Sequence, residues 1–184
     1  MTHWEEMTAG QKISLGRELR RLHTSIWWCA DSDAISIDLV AFILGPNRRV
    51  RSNADMVFYN QPGTADKSVV HEGKACLDGR CTEELSVDLD LFHDDVAGLT
   101  IAVCSEGAPL GSITELQLCL NPEPGSGAVT YWAEGLTTER AAVLGELYRQ
   151  DGIWWLHAAG QRGVAGLAEM AVGYGVTIAA DDLS

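Results

Sequence analysis

Short apolar segments recur along this chain of 184 residues, and clusters of turn-forming residues separate them. Residues 85–91 (LSVDLDL) alternate apolar and polar side chains, which is the period of a strand buried on one face. The clusters GPNRR, NQPG, SEGAPLG and NPEPGSG favour reversals of the backbone. Many short strands joined by turns predict a sandwich or a barrel. Further strands are predicted at Ser36–Leu44, 55–59, 99–104 and 113–120.

The last third of the chain is predicted to form a hairpin and then a helix. Residues 138–150 contain good helix formers, but an Asp-Gly pair separates them from the apolar run IWWLHAAG. Asp-Gly between two apolar runs indicates a tight β-hairpin, so we predict two strands here. A helix is predicted beyond them, because four apolar residues follow helical spacing. These residues are Val164, Leu167, Ala168 and Ala171.

The acidic balance of the chain limits its partners. With 26 acidic residues and 13 lysines or arginines, the formal net charge is −13. Such a charge repels nucleic acid and anionic membranes, and it suits a cation, a basic partner or simple solubility. No apolar run reaches the roughly 20 residues that cross a bilayer, and the N-terminus lacks the pattern of a signal peptide. We therefore expect no membrane insertion and a cytoplasmic location.

The five cysteines are expected to be reduced thiols. Their number is odd, and disulfides are rare in cytoplasmic chains. Cys76 and Cys81 stand five positions apart, and no second pair completes the four ligands of a structural zinc site. Cys104 and Cys119 lie in predicted apolar strands, which indicates that they are buried.

Motifs for catalysis are missing from the sequence. The chain contains neither the G-x-S-x-G turn of serine hydrolases nor the glycine-rich loop with Lys-Ser/Thr that holds phosphate. Its five histidines are scattered, and no two of them have the spacing of metal ligands. We therefore predict that the protein is not an enzyme.

Six blocks of sequence carry a family resemblance. They are, in order, TAGQKISL, SIDLVAFILG, SNADMVFYNQP, DKSVVHEG, GELYRQDGIWWLHAAGQ and GLAEMAVGYGV. Together they resemble the tellurium-resistance TerD family along nearly the whole chain. The resemblance implies a sandwich of two β-sheets. With the strand and helix patterns above, the predicted fold is mainly β, a sandwich of two β-sheets with one C-terminal helix and short loops. It also implies a TerD-like domain at 8–184 after an N-terminal extension at 1–7, and a role in tellurite and chemical-stress resistance.

The same resemblance implies a calcium site. Calcium binds roughly six to eight oxygen atoms, and several carboxylates from different segments can supply them. Asp66, Glu72 and Glu83 are expected in the long loop that follows the strand flanked by Asp55 and Asn60. The candidate ligands are Asp38, Asp55, Asn60, Asp66, Glu72 and Glu83.

Several acidic positions of the family pattern hold other residues in this chain. Ser36, Cys29, Asn53 and Lys74 stand where the pattern has an acid, and Cys81-Thr82 replaces two more. Calcium affinity depends on the number of charged ligands, so these changes favour weaker binding. Nearby acids that could compensate are Asp31, Asp33 and Asp78.

Two functions therefore remain open from the sequence. One is a calcium-binding stress-response protein. The other is a degenerate family member that acts as a metal-independent protein-interaction scaffold, with other proteins of a stress-response complex as its partners. The first depends on the acids that remain, and the second on the acids that the chain has lost.

Overall fold

The computed structural model describes residues 4–29, 35–123 and 127–179, which form a sandwich of two six-stranded sheets. A short α-helix follows the last strand. The elements are β1 (Trp4–Met7), β2 (Lys12–Gly16), β3 (Arg21–Cys29), β4 (Ser36–Leu44), β5 (Met56–Val57), β6 (Val69–Leu77), β7 (Arg80–Asp88), β8 (Gly98–Glu106), β9 (Thr114–Glu123), β10 (Ala128–Trp132), β11 (Ala141–Gln150), β12 (Ile153–Val164) and α1 (Leu167–Gly173).

The first sheet has the strand order β1-β10-β9-β3-β7-β6, and the second has the order β2-β12-β11-β8-β4-β5. Neighbouring strands are antiparallel, except that β1 and β10 are parallel. The predicted β-sandwich with one C-terminal helix is therefore confirmed. The boundary of the predicted N-terminal extension stays a prediction, although its residues Trp4–Met7 add β1 to the edge of the first sheet.

Alternating side chains of the two sheets form the main core. In β7 the buried residues include Leu85 and Val87, and the residues between them are half-buried. They join one apolar cluster with Leu99 and Leu156 of the second sheet. Because side chains in a strand point alternately to opposite faces, this alternation gives the first sheet one buried face and one wetter face.

The second sheet is covered on both faces. A second apolar cluster lies on its outer face, where Phe42 and Ala102 meet Met170 and Ala171 of α1. The ring of Tyr174, just beyond α1, stacks on Phe42 with their centroids 4.6 Å apart. Burial on both faces explains why β4 and β8 are almost continuously buried rather than alternating.

The predicted hairpin is confirmed as β11 and β12. The predicted helix is confirmed as α1, except at its start, because Val164 is the last residue of β12 and the helix begins at Leu167. The long loop predicted to hold the later acids is wrong, because residues 69–88 form the β6–β7 hairpin instead. Asp78 and Gly79 both have positive φ, 51° and 79°, which is the geometry of a two-residue hairpin turn. The strand predicted at 55–59 shrinks to β5, because a 3-10 turn precedes it.

The prediction of five reduced thiols is also wrong for one pair. Cys76 and Cys81 form a disulfide across the β6–β7 hairpin, with their Cα atoms 4.1 Å apart. They are direct partners in the strand register, so the hairpin brings the two sulfurs together. Cys104 and Cys119 are buried thiols, as predicted.

Within the part of the chain that the structure describes, no helix has the length and apolar character needed to cross a membrane.

Candidate functional site

The ammonium group of Lys74 lies between two carboxylates. Its Nζ is 2.7 Å from Oδ1 of Asp38 and 3.6 Å from Oε2 of Glu83. Lys74 and Glu83 are direct partners on β6 and β7 of the first sheet, whereas Asp38 belongs to β4 of the second sheet. The cation therefore links the two sheets, and we call these three residues the Lys74 cluster.

Both acids of the Lys74 cluster are shielded from solvent. The side chain of Glu83 is 1% exposed and that of Asp38 is 12% exposed, compared with 29% for Lys74. A buried carboxylate without a nearby positive charge or hydrogen-bond donor is costly. The Lys74 ammonium supplies a positive charge to both acids at once, which allows them to lie inside the sandwich.

Three further side chains complete the surroundings of the cluster. His71 Nε2 lies 2.5 Å from the other carboxylate oxygen of Glu83, Oε1. Lys74 Nζ also donates a hydrogen bond to Ser36 Oγ over 3.1 Å. The ammonium lies 5.7 Å from the ring centroid of Trp28, within the range of a cation–π interaction. The cation therefore has oxygen atoms and an aromatic ring around it.

A β-bulge excludes Glu72 from this cluster. The β6–β7 register shifts between His71 and Gly73, so Glu72 is the extra residue without a partner on β7. Gly73 has a φ of 112°, a conformation that L side chains rarely adopt. The bulge keeps His71 and Lys74 both beside Glu83, and it leaves Glu72 exposed.

Asp55 has a different partner. Arg51 Nε and Nη2 bind its two carboxylate oxygens over 2.8 and 2.9 Å, and Arg51 Nη1 binds Asp95 over 2.7 Å. The hydrogen bond to Asp55 is the largest influence on Arg51, and it raises the pKa of that guanidinium although burial opposes the rise. Both oxygens of Asp55 are therefore engaged by one arginine in a bidentate pair.

The remaining predicted ligands lie in turns. Asp66 accepts a hydrogen bond from the backbone N–H of Ser68 over 2.9 Å, and His93 lies 3.7 Å away. Burial acts to raise the pKa of Asp66, but hydrogen bonds from Ser68 and Thr64 outweigh it, so the pKa is lowered. Asn60 is exposed in the turn after β5. Three further acids were predicted to compensate for the lost ligands. Asp31 and Asp33 lie outside the described residues, and Asp78 lies in the β6–β7 turn.

The donor set of the Lys74 cluster does not fit calcium. Only two of the six predicted ligands, Asp38 and Glu83, contact the same group, and that group is an ammonium ion. Calcium needs roughly six to eight oxygens, and a positive charge this close to both carboxylates repels a second cation. Among the described residues, no group of three or more His, Cys, Asp or Glu side chains is arranged to hold a metal ion.

Lys74 stands where the family pattern has an acid, but the sequence does not reveal which residues it contacts. Its partners on β4 and β7 are 36 and 9 positions away, so no local spacing reveals them. A signal did exist for the β6–β7 hairpin, because Asp78-Gly79 lies midway between Cys76 and Cys81. That hairpin would have placed Lys74 opposite Glu83.

Comparison with known proteins decides the family. The TerD domain, as a family model, matches residues 4–174. The chain belongs to the TerD family. It is 30% identical to the tellurium resistance protein TerD of an Alcaligenes species, over 92% of this chain and 96% of that protein. It is 26% identical to general stress protein 16U of Bacillus subtilis, over 94% and 97% of the two chains.

The fold is also that of a solved TerD-related structure. A homologue of telluride resistance protein TerD from Streptomyces coelicolor superposes with a TM-score of 0.62 and 14% sequence identity, over 83% of this chain and 95% of that one. At that identity the likeness concerns the fold alone. The TerD sandwich is thus retained in this chain, while the acids of the Lys74 cluster are paired with an ammonium ion.

Proposed function

We propose that this TerD-family chain is a non-enzymatic stress-response protein that works without bound calcium. The stress role rests on its relatives, which include a tellurium resistance protein and a general stress protein. The independence from calcium rests on one observation, the Lys74 ammonium between Asp38 and Glu83. In this proposal Lys74 provides permanently the positive charge that a bound cation would otherwise provide.

The electrostatics of the cluster support this proposal. An ammonium 2.7 Å from Asp38 Oδ1 already stabilises that carboxylate. A calcium ion would have to displace Lys74 and then repel it at short range. The departure of Lys74 would also break its hydrogen bond to Ser36 and its contact with Trp28. Each of these losses opposes calcium binding at physiological concentrations.

A permanently charged cluster also suits a scaffold that binds other proteins of a stress-response complex. It fixes the middle of the β6–β7 hairpin to β4, and the Cys76–Cys81 disulfide joins the two strands two register positions nearer the turn. Leu77, next to the turn, is 76% exposed. In this proposal Leu77 is a side chain that a protein partner would cover, and the rigidity of the hairpin reduces the entropy lost on binding.

Thermal unfolding with and without millimolar calcium tests the proposal, with magnesium as the ion control. A ligand that binds the native state raises the melting temperature by mass action. We expect no rise for the wild-type protein. The competing proposal, calcium bound by the predicted six-residue set, requires a clear rise that Asp66→Asn abolishes.

A charge-reversal variant makes the test specific to the Lys74 cluster. Lys74→Asp replaces the ammonium with a carboxylate beside Asp38 and Glu83, so this variant should lose stability and regain part of it in calcium. Arg80→Asp is the matched control, since it makes the same charge change on the same hairpin at a side chain that is 62% exposed. The proposal fails if the wild-type protein responds to calcium as strongly as Lys74→Asp does.

The stress role needs a separate experiment. A host that lacks its own copy of the gene would be grown in tellurite with the wild-type chain or with an empty vector. We expect the wild-type chain to improve growth, and we expect calcium chelation to leave that improvement unchanged. A Leu77→Ser variant that folds normally but no longer improves growth would support a role for the hairpin in partner binding.

A further inference from the structure

A second polar site lies on the outer face of the second sheet, away from the Lys74 cluster. It is a cleft of about 430 Å³, within the usual size range of sites for small molecules. Adjacent strands place four of its residues side by side in the register, from β2 through β12 and β11 to β8. These residues are Lys12, His157, Glu146 and Thr100.

Glu146 is the central charge of the cleft. Its side chain is 11% exposed, and its carboxylate lies 2.9 Å from His157 Nδ1 and 3.3 Å from Arg48 Nη2. The contact with Nδ1 orients the imidazole ring and leaves Nε2 as the ring nitrogen that can meet a ligand. Glu146 itself is a carboxylate, which accepts hydrogen bonds and does not donate them.

The buried hydroxyl group of Thr100 also indicates that this cleft holds a ligand. It lines the same cleft, is 1% exposed, and is the direct partner of Glu146 in the β8–β11 register. Its hydroxyl has no hydrogen-bond partner among the described residues. Buried hydroxyl groups almost always have a partner, and one that lacks a protein partner indicates that a bound molecule or water supplies it.

The cleft has a positive balance in an acidic protein. Lys12, Arg48 and Arg149 line it with Glu146 as the opposing acid, so three cations face one carboxylate. The whole chain carries a net charge of −13. A local excess of cations against that background attracts small anions to this face and away from the rest of the surface. Lys12 Nζ is also held 5.8 Å from the ring centroid of Tyr148, which keeps its charge at the cleft.

We propose that this cleft binds a small hydroxylated anion. Its phosphate or carboxylate group lies against Lys12 and Arg48, and its hydroxyl group donates a hydrogen bond to Glu146. Both features are needed, since the cations select the negative charge and Glu146 selects a donor. His157 Nε2 and the Thr100 hydroxyl provide the further polar contacts of the site.

Calorimetry with four probes tests the proposal on the full chain. Ribose 5-phosphate and gluconate present a hydroxylated phosphate and a hydroxylated carboxylate, whereas ribose lacks the negative charge and sulfate lacks a hydroxyl group that can donate. We expect saturable binding of at least one of the first two, and binding at least about tenfold weaker for the latter two, as loss of a charged hydrogen bond implies. Equal affinity for sulfate and ribose 5-phosphate would overturn the part assigned to Glu146.

Two variants and one control locate the binding. Arg48→Gln and Lys12→Gln each remove a cation from the cleft at an exposed side chain, so the fold should survive. We expect each to weaken binding by about tenfold. Arg20→Gln removes the same charge from an exposed site paired with Asp90, and its affinity should match the wild-type protein. The proposal is overturned if no probe saturates, or if Arg20→Gln weakens binding as much as Arg48→Gln does.

Discussion

Lys74 of the first sheet and Asp38 of the second form an ion pair of 2.7 Å that links the two halves of the sandwich. Glu83 shares the same ammonium, so one cation compensates two acids that are shielded from solvent. Removing it takes the ammonium charge away from both acids and leaves Glu83 with its contact to His71. The cluster is therefore expected to contribute to the stability of the sandwich.

Lys74→Met should lower the free energy of unfolding. We expect a loss of about 2 kcal/mol, below the ~3–5 kcal/mol of a fully buried pair, because solvent partly screens the Lys74 side chain. Urea denaturation of the wild-type protein and of Lys74→Met measures this loss in the free energy of unfolding. In the double variant Lys74→Met/Asp38→Asn, the loss should be smaller than the sum of the two single losses, because the two residues interact directly. Additive losses would show that the pair does not couple the two sheets.

Thr100→Val should leave stability unchanged or raise it by about 1 kcal/mol in the absence of ligand. The substitution removes a buried hydroxyl that has no partner among the described residues. The melting temperature, measured after extensive dialysis, reports the change. A clear loss of stability would instead show that the hydroxyl is paired in solution. Val103→Thr, which places a hydroxyl in the main core of the same strand, should destabilise and serves as the reverse control.

Breaking the Cys76–Cys81 disulfide should cost about 2 kcal/mol, the loop-entropy value for so short a loop. Urea denaturation of the Cys76→Ser/Cys81→Ser variant measures this loss. A reducing agent should lower the stability of the wild-type protein to the same value and should not affect the variant. If the reducing agent destabilises both proteins equally, its action lies outside this disulfide.

The two buried thiols should be inert in the folded protein. Burial raises the pKa of Cys104 to about 12, helped by the nearby carboxylates of Asp38 and Glu83, and burial alone raises that of Cys119 to about 11. Thiolate is the reactive form, so iodoacetamide at mildly alkaline pH should modify neither residue. Mass spectrometry after labelling in urea should then find both modified. Rapid labelling of Cys104 in the native state would contradict its burial.

The same shifts give the direction of an alkaline pH effect. The folded pKa of Cys104 lies above its ordinary value of 9.0, so the neutral thiol is the form that the native state favours. Its contribution to stability is fully present below pH 9.0 and is lost as the pH rises toward about 12. Cys104→Ala should therefore flatten the decline in stability over that range, which denaturation at several pH values can measure.

Local patterns predicted much of the fold. The β4 strand was predicted at its observed limits, and Asp-Gly at 151–152 correctly indicated the hairpin of β11 and β12. These predictions succeed because turn chemistry and side-chain period act between near neighbours in the sequence. The alternation of β7 was also visible, although the strand begins five residues before the predicted segment.

The candidate site was harder to predict because it is not local. Asp38 and Lys74 come from different sheets, and only the packing of the sandwich brings them together. The bulge at Glu72 was not visible either, and it decides which residues of β6 reach Glu83. Counting acids therefore could not distinguish a metal site from an ammonium site. A lysine at position 74 indicates an ammonium site only when it is also known that this residue lies opposite Glu83.

The bulge in β6 has a consequence at the scale of the whole molecule. β6 is an edge strand of the first sheet, where backbone groups are open to another chain. Glu72 interrupts the regular ladder there, Gly73 bends the strand, and Lys74 turns a charge inward. An interrupted and charged edge is a poor template for an incoming strand, so this side of the sandwich resists growth into fibres or strand-swapped pairs.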